Sequence, residues 1–211
     1  MSKLPEPPGV VQLRAIPPET LTLPANTLLT RIYFAAGAHP SRWNQLRRFG
    51  PVDARWDHHL RDAHGTAVEQ SRAILYCAPD IDTCVAEVFQ ATRRIDRTRG
   101  APWLVVFALR EPVTLLELRG TFATTMGAST AIHSGPRSRA RAWARELYDA
   151  YPNLQGIHYG SSMNGHAPAV ALNERAHPVM PRLPLFHRAL NDDMLVDILR
   201  RIALRLSYGL R

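Results

Sequence analysis

Apolar and polar residues alternate along this chain in short blocks, and the blocks predict more strands than helices. Runs of apolar residues bounded by Pro, Gly and Asn are typical of strands. The predicted strands cover 28–34, 73–78, 102–109, 113–118, 155–159 and 167–173. In the first of them side chains alternate, so Arg31 points the same way as Leu29 and Tyr33. The last two flank a turn of sequence Gly-Ser-Ser-Met-Asn-Gly.

Helical periodicity occurs in three stretches. After an Asp pair that suits a helix start, apolar residues recur at i, i+3, i+4, i+7 and i+8 from Ile81 to Phe89. Glu87 lies off this apolar stripe, so it lines a cleft or faces water. Two further helices are predicted over 137–151 and 191–207. The last is amphipathic, with Asn191 as its cap, acidic residues at its start and arginines toward its end.

The remaining stretches predict the organisation of the chain. Residues 1–22 are proline-rich and predict an extended lead-in over the surface. Residues 37–70 predict long loops with a short strand near 54–56. No internal repeat or domain boundary is visible. We therefore expect one α+β domain over 23–211, with a mixed β-sheet core and flanking helices, that ends in the amphipathic helix.

Charge is the main compositional bias of the 211 residues, with a net charge of +8 and a pI near 10.3. Lys3 is the sole lysine, and the arginines are dispersed rather than gathered into one stripe. A phosphate-rich ligand or an acidic partner explains them as well as nucleic acid does. The longest apolar run, 103–109, is too short to cross a bilayer, and no signal peptide is visible. We expect a cytoplasmic protein.

Metal and nucleotide motifs change this picture little. Cys77 and Cys84 are expected to be buried small hydrophobes. Asp57-His58-His59 has no spaced third ligand, so no metal site is predicted. The chain carries no phosphate-binding P-loop, no Rossmann fingerprint and no G-x-S-x-G elbow.

Several residues could carry chemistry, and each has an ordinary structural alternative. Arg31 and Arg55 could clamp a pyrophosphate, or face solvent. Glu87 could stabilise a developing cation, or lie on a helix surface. Tyr76 could lie beside a ribose or belong to the core. Ser161 could contact a ligand or serve as a turn residue.

These residues stand in blocks whose order resembles the RES-domain family. The blocks are Leu29-Thr30-Arg31, Ala54-Arg55-Trp56, Ile74-Leu75-Tyr76-Cys77, Ala86-Glu87-Val88, Tyr159-Gly160-Ser161 and Ala169-Val170-Ala171-Leu172-Asn173-Glu174. The resemblance implies a fold like that of ADP-ribosyltransferases. It also implies that the chain is the toxin of a bacterial toxin–antitoxin pair and consumes NAD as substrate, with no prosthetic group.

The same resemblance implies residue roles and a partner. Glu87 would be the catalytic carboxylate, acting with Arg31, while Arg31, Arg55, Tyr76 and Ser161 would bind NAD. Two alternatives stay open, namely Ser162 for the serine, and Arg47 or Arg48 for the second arginine. The implied partner is an Xre-type helix-turn-helix antitoxin, which would supply the DNA binding.

The acceptor of the cleaved group also stays open. NAD would be hydrolysed or phosphorolysed; alternatively, ADP-ribose would be transferred to a protein. A third hypothesis, that the chain is a non-enzymatic basic module that binds nucleic acid, ranks below NAD cleavage and ADP-ribosyl transfer. The sequence leaves the oligomeric state open, a homo-oligomer included, and predicts no membrane association.

Overall fold

A computed structural model describes residues 3–211 as an α+β arrangement of strands and five helices. The strands are β1 Thr20–Leu23, β2 Leu28–Phe34, β3 Arg47–Gly50, β4 Val68–Cys77, β5 Arg94–Ile95, β6 Pro102–Ala108, β7 Val113–Glu117, β8 Gly156–Gly160, β9 Pro168–Asn173, β10 Phe186–Ala189 and β11 Gly209–Leu210. The helices are α1 Val10–Arg14, α2 Ile81–Val88, α3 Phe122–Thr125, α4 Arg137–Ala150 and α5 Val196–Leu206. No helix within 3–211 is long and apolar enough to span a membrane.

The strands form a mixed six-stranded sheet, a three-stranded sheet and a two-stranded pair. The large sheet has the order β1-β7-β8-β9-β4-β3, and only β7 and β8 pair in parallel. That pairing requires a crossover, which the segment containing α3 and α4 provides. The small sheet has the order β10-β6-β2 and is antiparallel. The predicted mixed sheet with flanking helices is confirmed.

Three apolar clusters hold these layers together. One lies under α4 and is centred on Trp56, Phe122 and Trp143. The second joins the two sheets, because Leu29 and Phe107 of the small sheet pack with residues of β4 and β9. The third packs α2 and α5 against the small sheet. The predicted burial of both cysteines is confirmed, as Cys77 is 4% exposed and Cys84 is 5% exposed.

The strand predicted near 54–56 is wrong, and the strand of this region is β3 instead. Trp56 is 1% exposed, but it lies in a turn and packs on the Tyr159 ring. Its burial comes from a long-range contact rather than from a strand. Strand β3 begins with Arg47 and Arg48 at the edge of the large sheet, so it carries no apolar pattern.

The described part of the predicted lead-in, residues 3–22, is not simply extended over the surface. It contains α1, and β1 pairs with β7 at one edge of the large sheet. Leu4 and Leu13 are buried, and the indole of Trp143 donates to the Pro5 carbonyl at 2.9 Å. These two leucines anchor the segment to the core. The proline-rich sequence around them predicts an extended segment and gives no indication of this burial. Met1 and Ser2 lie outside the described residues.

The C-terminal helix is amphipathic, as predicted, but it begins later. Asp192, rather than Asn191, accepts a hydrogen bond from the Met194 amide and caps a short 3-10 turn that leads into α5. Leu199 and Ile202 are buried against the core. The periodicity was sufficient to predict the helix, while two neighbouring capping residues made its start ambiguous.

Candidate active site

A cleft of about 760 Å³ opens beside the edge of the large sheet. Its volume lies within the range usual for small-molecule sites, roughly 300–1,000 Å³. Four of the candidate residues that the sequence indicates line it together: Arg31 of β2, Arg55, Tyr76 of β4 and Glu87 of α2. Residues that span 56 positions of the chain, from Arg31 to Glu87, therefore face one space.

Glu87 lies at the end of α2, and it faces the cleft rather than bulk solvent. Helix α2 is fixed at its start because Asp80 accepts a hydrogen bond from the Thr83 amide at 2.7 Å. Cys84, Val85 and Phe89 of its apolar stripe are buried, which turns Glu87 toward the cleft. A carboxylate oxygen of Glu87 accepts a hydrogen bond from the Ser161 hydroxyl at 2.5 Å. The carboxylate is therefore held in one orientation.

The serine turn is attached to α2 at two points. Besides donating to Glu87, the Ser161 hydroxyl accepts hydrogen bonds from the amides of Met163 and Asn164, each at 3.1 Å. The Asn164 amide group donates to the Thr83 hydroxyl at 2.9 Å. Ser161 is 1% exposed and does not itself line the cleft, so its role is to position the Glu87 carboxylate. Ser162 is exposed and lines the cleft.

The guanidinium groups of Arg31 and Arg55 donate to backbone carbonyls rather than to carboxylates. Arg31 donates to the carbonyls of Trp43 and Gln45, at 2.9 and 3.1 Å, and Arg55 donates to the Gly135 carbonyl at 2.7 Å. Within residues 3–211 neither guanidinium has a carboxylate within 4 Å. Burial lowers the pKa of Arg31 to about 10, so it stays charged at neutral pH. Both charges are available to an anionic ligand.

The two alternatives for the second arginine, Arg47 and Arg48, line the same cleft. Arg47 forms an ion pair with Asp57 at 2.9 Å, so its charge is already compensated. Arg48 is exposed and donates to the Ser71 carbonyl at 2.8 Å. The structure therefore brings Arg55, Arg47 and Arg48 into one cleft. Arg47 has a carboxylate partner, whereas Arg55 has none within 4 Å in the described residues.

Tyr76 lies on β4 and contributes its ring to the cleft. Burial raises the pKa of its phenol well above the usual value, so the hydroxyl is neutral and can donate a hydrogen bond. Tyr159, at the end of β8, also lines the cleft, and burial raises its pKa as well. The inner part of the cleft thus presents flat, uncharged rings beside one carboxylate.

His133 is a cleft residue that the sequence did not indicate. Its Nε2 bonds to the Leu118 carbonyl at 3.0 Å, which makes Nε2 the protonated nitrogen. Nδ1 can then accept from the Gly160 amide at 3.4 Å, next to Ser161. Burial lowers the pKa of His133 to about 4, so it is neutral at physiological pH. A single histidine in a short 3-10 turn leaves no pattern that sequence reasoning could use.

Asp57-His58-His59 forms a buried polar network beside the cleft. Asp57 and His59 are both fully buried, and the ring of His59 bonds to a carboxylate oxygen of Asp57. His58 stacks on Tyr148 with ring centroids 4.4 Å apart and lies 3.6 Å from Glu174. Within residues 3–211 no three His, Cys, Asp or Glu side chains are grouped to hold a metal ion.

Glu174 makes the stability of this network depend on pH. Burial alone would raise its pKa, but the nearby His58 ring and hydrogen bonds from the Tyr148 hydroxyl and the Ala73 amide lower it to about 2 from an ordinary value of 4.5. A lowered pKa contributes stability above pH 4.5, and that contribution is lost as the pH falls toward 2. We expect Glu174→Gln to lower the free energy of unfolding at pH 7 by about 2 kcal/mol.

Urea unfolding of wild type and Glu174→Gln at pH 7 and pH 3 measures this difference. The gap between the two proteins should narrow at pH 3, where much of the wild-type contribution is lost. Glu111→Gln, at an exposed position, is the control and should follow the wild type. A gap that is the same at both pH values would contradict the assignment.

Comparison with known proteins identifies the family. The family model described as the RES domain matches residues 24–192, which include every candidate residue above. The chain belongs to the RES domain family. The match begins after α1 and ends before α5, so both helices lie outside the matched region. No curated protein matches the chain.

One solved structure of similar fold is the crystal structure of the M. tuberculosis MbcT–MbcA toxin–antitoxin complex. The alignment has a TM-score of 0.53 and 16% sequence identity, and it covers 84% of this chain and 89% of that chain. At this identity the likeness shows a shared fold. It agrees with the mixed sheet and flanking helices described above.

Proposed function

We propose that this RES-family protein is an enzyme that cleaves the nicotinamide–ribose bond of NAD. The observation that carries the proposal is the position of Glu87, whose carboxylate is fixed by Ser161 in the same cleft as two arginines without carboxylate partners. The carboxylate of Glu87 and the guanidinium groups of Arg31 and Arg55 match the charges of a dinucleotide. The ribose becomes cationic during cleavage, and the pyrophosphate is anionic.

The chemistry requires a fixed negative charge beside the reacting sugar. Breaking the N-glycosidic bond builds positive charge on the ribose, as in other glycosyl transfers. A preorganised carboxylate stabilises that charge more in the transition state than in the ground state. Nicotinamide leaves as a neutral molecule, so no general acid is needed. The hydrogen bond from Ser161 supports Glu87 without neutralising it.

The arginines would hold the pyrophosphate. A guanidinium binds phosphate oxygens through charge-assisted, often bidentate hydrogen bonds. Arg31 and Arg55 are each braced by backbone carbonyls on one guanidinium nitrogen, which orders the side chain and leaves other N–H groups free. Tyr76 and Tyr159 would border the nicotinamide ribose. No prosthetic group is part of this proposal.

The test follows nicotinamide release from NAD by the purified chain, with and without inorganic phosphate. Hydrolysis gives ADP-ribose, and phosphorolysis gives ADP-ribose 1-phosphate. If ADP-ribose is transferred to a protein instead, NAD labelled in the adenosine half marks a protein band, which is the transferase alternative. A folded wild-type protein that releases no nicotinamide under any of these conditions contradicts the proposal.

The two serines should differ in their effect on turnover. We expect Ser161→Ala to lower kcat by about 10-fold to 100-fold, because the Glu87 carboxylate loses its hydrogen bond and its orientation. Ser162→Ala should have a smaller effect, mainly on KM, because Ser162 lies at the cleft surface. Steady-state kinetics of the two variants decides between them. Equal effects would contradict the positioning role of Ser161.

We further propose that the chain is the toxin of a toxin–antitoxin pair and that it acts in the cytoplasm. Family membership and the fold shared with a solved toxin–antitoxin complex support this. The partner would be an Xre-type helix-turn-helix protein, which would bind DNA for the pair. Induced expression should arrest bacterial growth, and co-expression of a cognate Xre-type helix-turn-helix protein should restore it. Growth arrest that persists in Glu87→Gln would contradict NAD cleavage as its cause.

A further inference from the structure

The outer part of the cleft carries a pair of aromatic rings that the proposed reaction does not use. His39 and Phe49 stack with ring centroids 6.2 Å apart and an angle of 18° between their planes. Both line the cleft, His39 is exposed and Phe49 is 36% exposed. A large ring that stays exposed inside a ligand-sized cleft is available for stacking.

Strand pairing explains why Phe49 reaches the cleft beside its neighbours. Arg47 pairs with Ile74, whereas Phe49 pairs with Glu69, so the register shifts between them. Such an irregularity re-aims side chains and disturbs the usual alternation of faces. As a result Arg47, Arg48 and Phe49 all line the cleft. Two cations and a ring are presented by three consecutive residues.

Segment 38–49 forms a wall of its own, and Arg31 is bound to it. The Arg31 guanidinium donates to the carbonyls of Trp43 and Gln45 within this segment. A pyrophosphate held by Arg31 would therefore lie against the base of the wall. Glu87 and Ser162 come from other elements. If the nicotinamide ribose lies beside Glu87, the other half of the dinucleotide extends along segment 38–49.

We propose that the His39–Phe49 pair is the subsite for the adenine base of NAD, with Arg48 beside the adenosine ribose. The inference rests on the proposed function for the direction in which the dinucleotide lies. A purine offers a flat face of the size that an aromatic pair binds, and stacking on a protein ring tolerates the exposure seen at Phe49. Arg48 has no carboxylate within 4 Å in the described residues, so its charge can face the ligand.

The test measures the Kd of ADP-ribose, which carries the adenine but no nicotinamide. We expect Phe49→Ala to raise this Kd at least about fivefold, because stacking of one base on an aromatic side chain contributes on this scale. Phe49→Leu keeps the apolar volume but removes the ring, so it should bind as weakly as Phe49→Ala. Phe49→Trp should restore binding. Leu60→Ala, at another exposed apolar position outside the cleft, is the control.

Kinetics separate this subsite from the reaction. In Phe49→Ala the KM for NAD should rise while kcat stays near the wild-type value, and cleavage of nicotinamide mononucleotide, which lacks adenine, should not change. Unchanged ADP-ribose binding in Phe49→Ala, absent binding in wild type, or restoration by Phe49→Leu would each overturn the subsite. ADP-ribose binding that depends on Phe49 without any NAD cleavage would instead retain the subsite and refute the proposed reaction.

Discussion

Glu87→Gln is expected to lower kcat for nicotinamide release by at least about 100-fold, the loss typical when a preorganised electrostatic group is removed. The amide has nearly the same shape and can still accept the hydrogen bond from the Ser161 hydroxyl, which is 2.5 Å from Glu87 in the wild type. What disappears is the negative charge beside the ribose. Nicotinamide release under saturating NAD measures the effect.

A matched control separates this effect from damage to the fold. Glu111→Gln makes the same chemical change at an exposed position and should leave kcat unchanged. Both variants should unfold at wild-type urea concentrations, because neither creates a cavity. If Glu87→Gln retains more than about a tenth of wild-type kcat, the carboxylate does not stabilise the transition state in the proposed way.

The strands and helices that sequence patterns predicted are those with an apolar face. Sequence patterns predict strand β2, the strand β4 region and helix α2 because each carries a run or stripe of apolar residues, several of which are buried. Within the large sheet two strands were missed, β1 and β3, and they lie at its opposite edges. An edge strand buries fewer side chains, so β1 can contain threonines and β3 can contain arginines. Neither strand therefore shows a continuous apolar run in the sequence.

The same distinction applies to the candidate site. Helical spacing placed Glu87 off the apolar stripe, and the structure places it in the cleft. Sequence reasoning could not choose among Arg47, Arg48 and Arg55, because the path of an irregular segment depends on long-range contacts. One such contact is the hydrogen bond from Arg55 to the Gly135 carbonyl, 80 residues away. His133 had no sequence signal because a single histidine in a short 3-10 turn leaves no pattern.

Ser161 shows how local and long-range information combine. Its place in a Gly-rich turn between two strands indicated a turn residue as readily as a ligand contact. In the structure the Ser161 hydroxyl has both roles. It accepts hydrogen bonds from the amides of its own turn, and it donates to Glu87, 74 residues earlier. The turn therefore sets the orientation of the carboxylate on which the proposed chemistry depends.

Asp57→Ala is expected to lower the free energy of unfolding by about 3–5 kcal/mol, the range for breaking a buried ion pair by removing one partner. Asp57 is fully buried and accepts from the Arg47 guanidinium at 2.9 Å and from the Val52 amide at 2.7 Å. Although burial opposes ionisation, hydrogen bonding from His59 and the charge of Arg47 hold the pKa of Asp57 well below its usual value. Urea unfolding at pH 7 measures the loss.

Asp53→Ala is the matched comparison, because Asp53 also binds two guanidinium groups. It pairs with Arg137 at 2.9 Å and with Arg141 at 2.7 Å, but its side chain is 70% exposed. Water screens these pairs, so the expected loss is about 1 kcal/mol or less. Equal losses in the two variants would show that the buried network contributes no more than a surface pair. A large loss confined to Asp57→Ala would show that the buried network, which includes the Arg47–Asp57 ion pair, stabilises the fold more than the exposed pairs of Asp53 do.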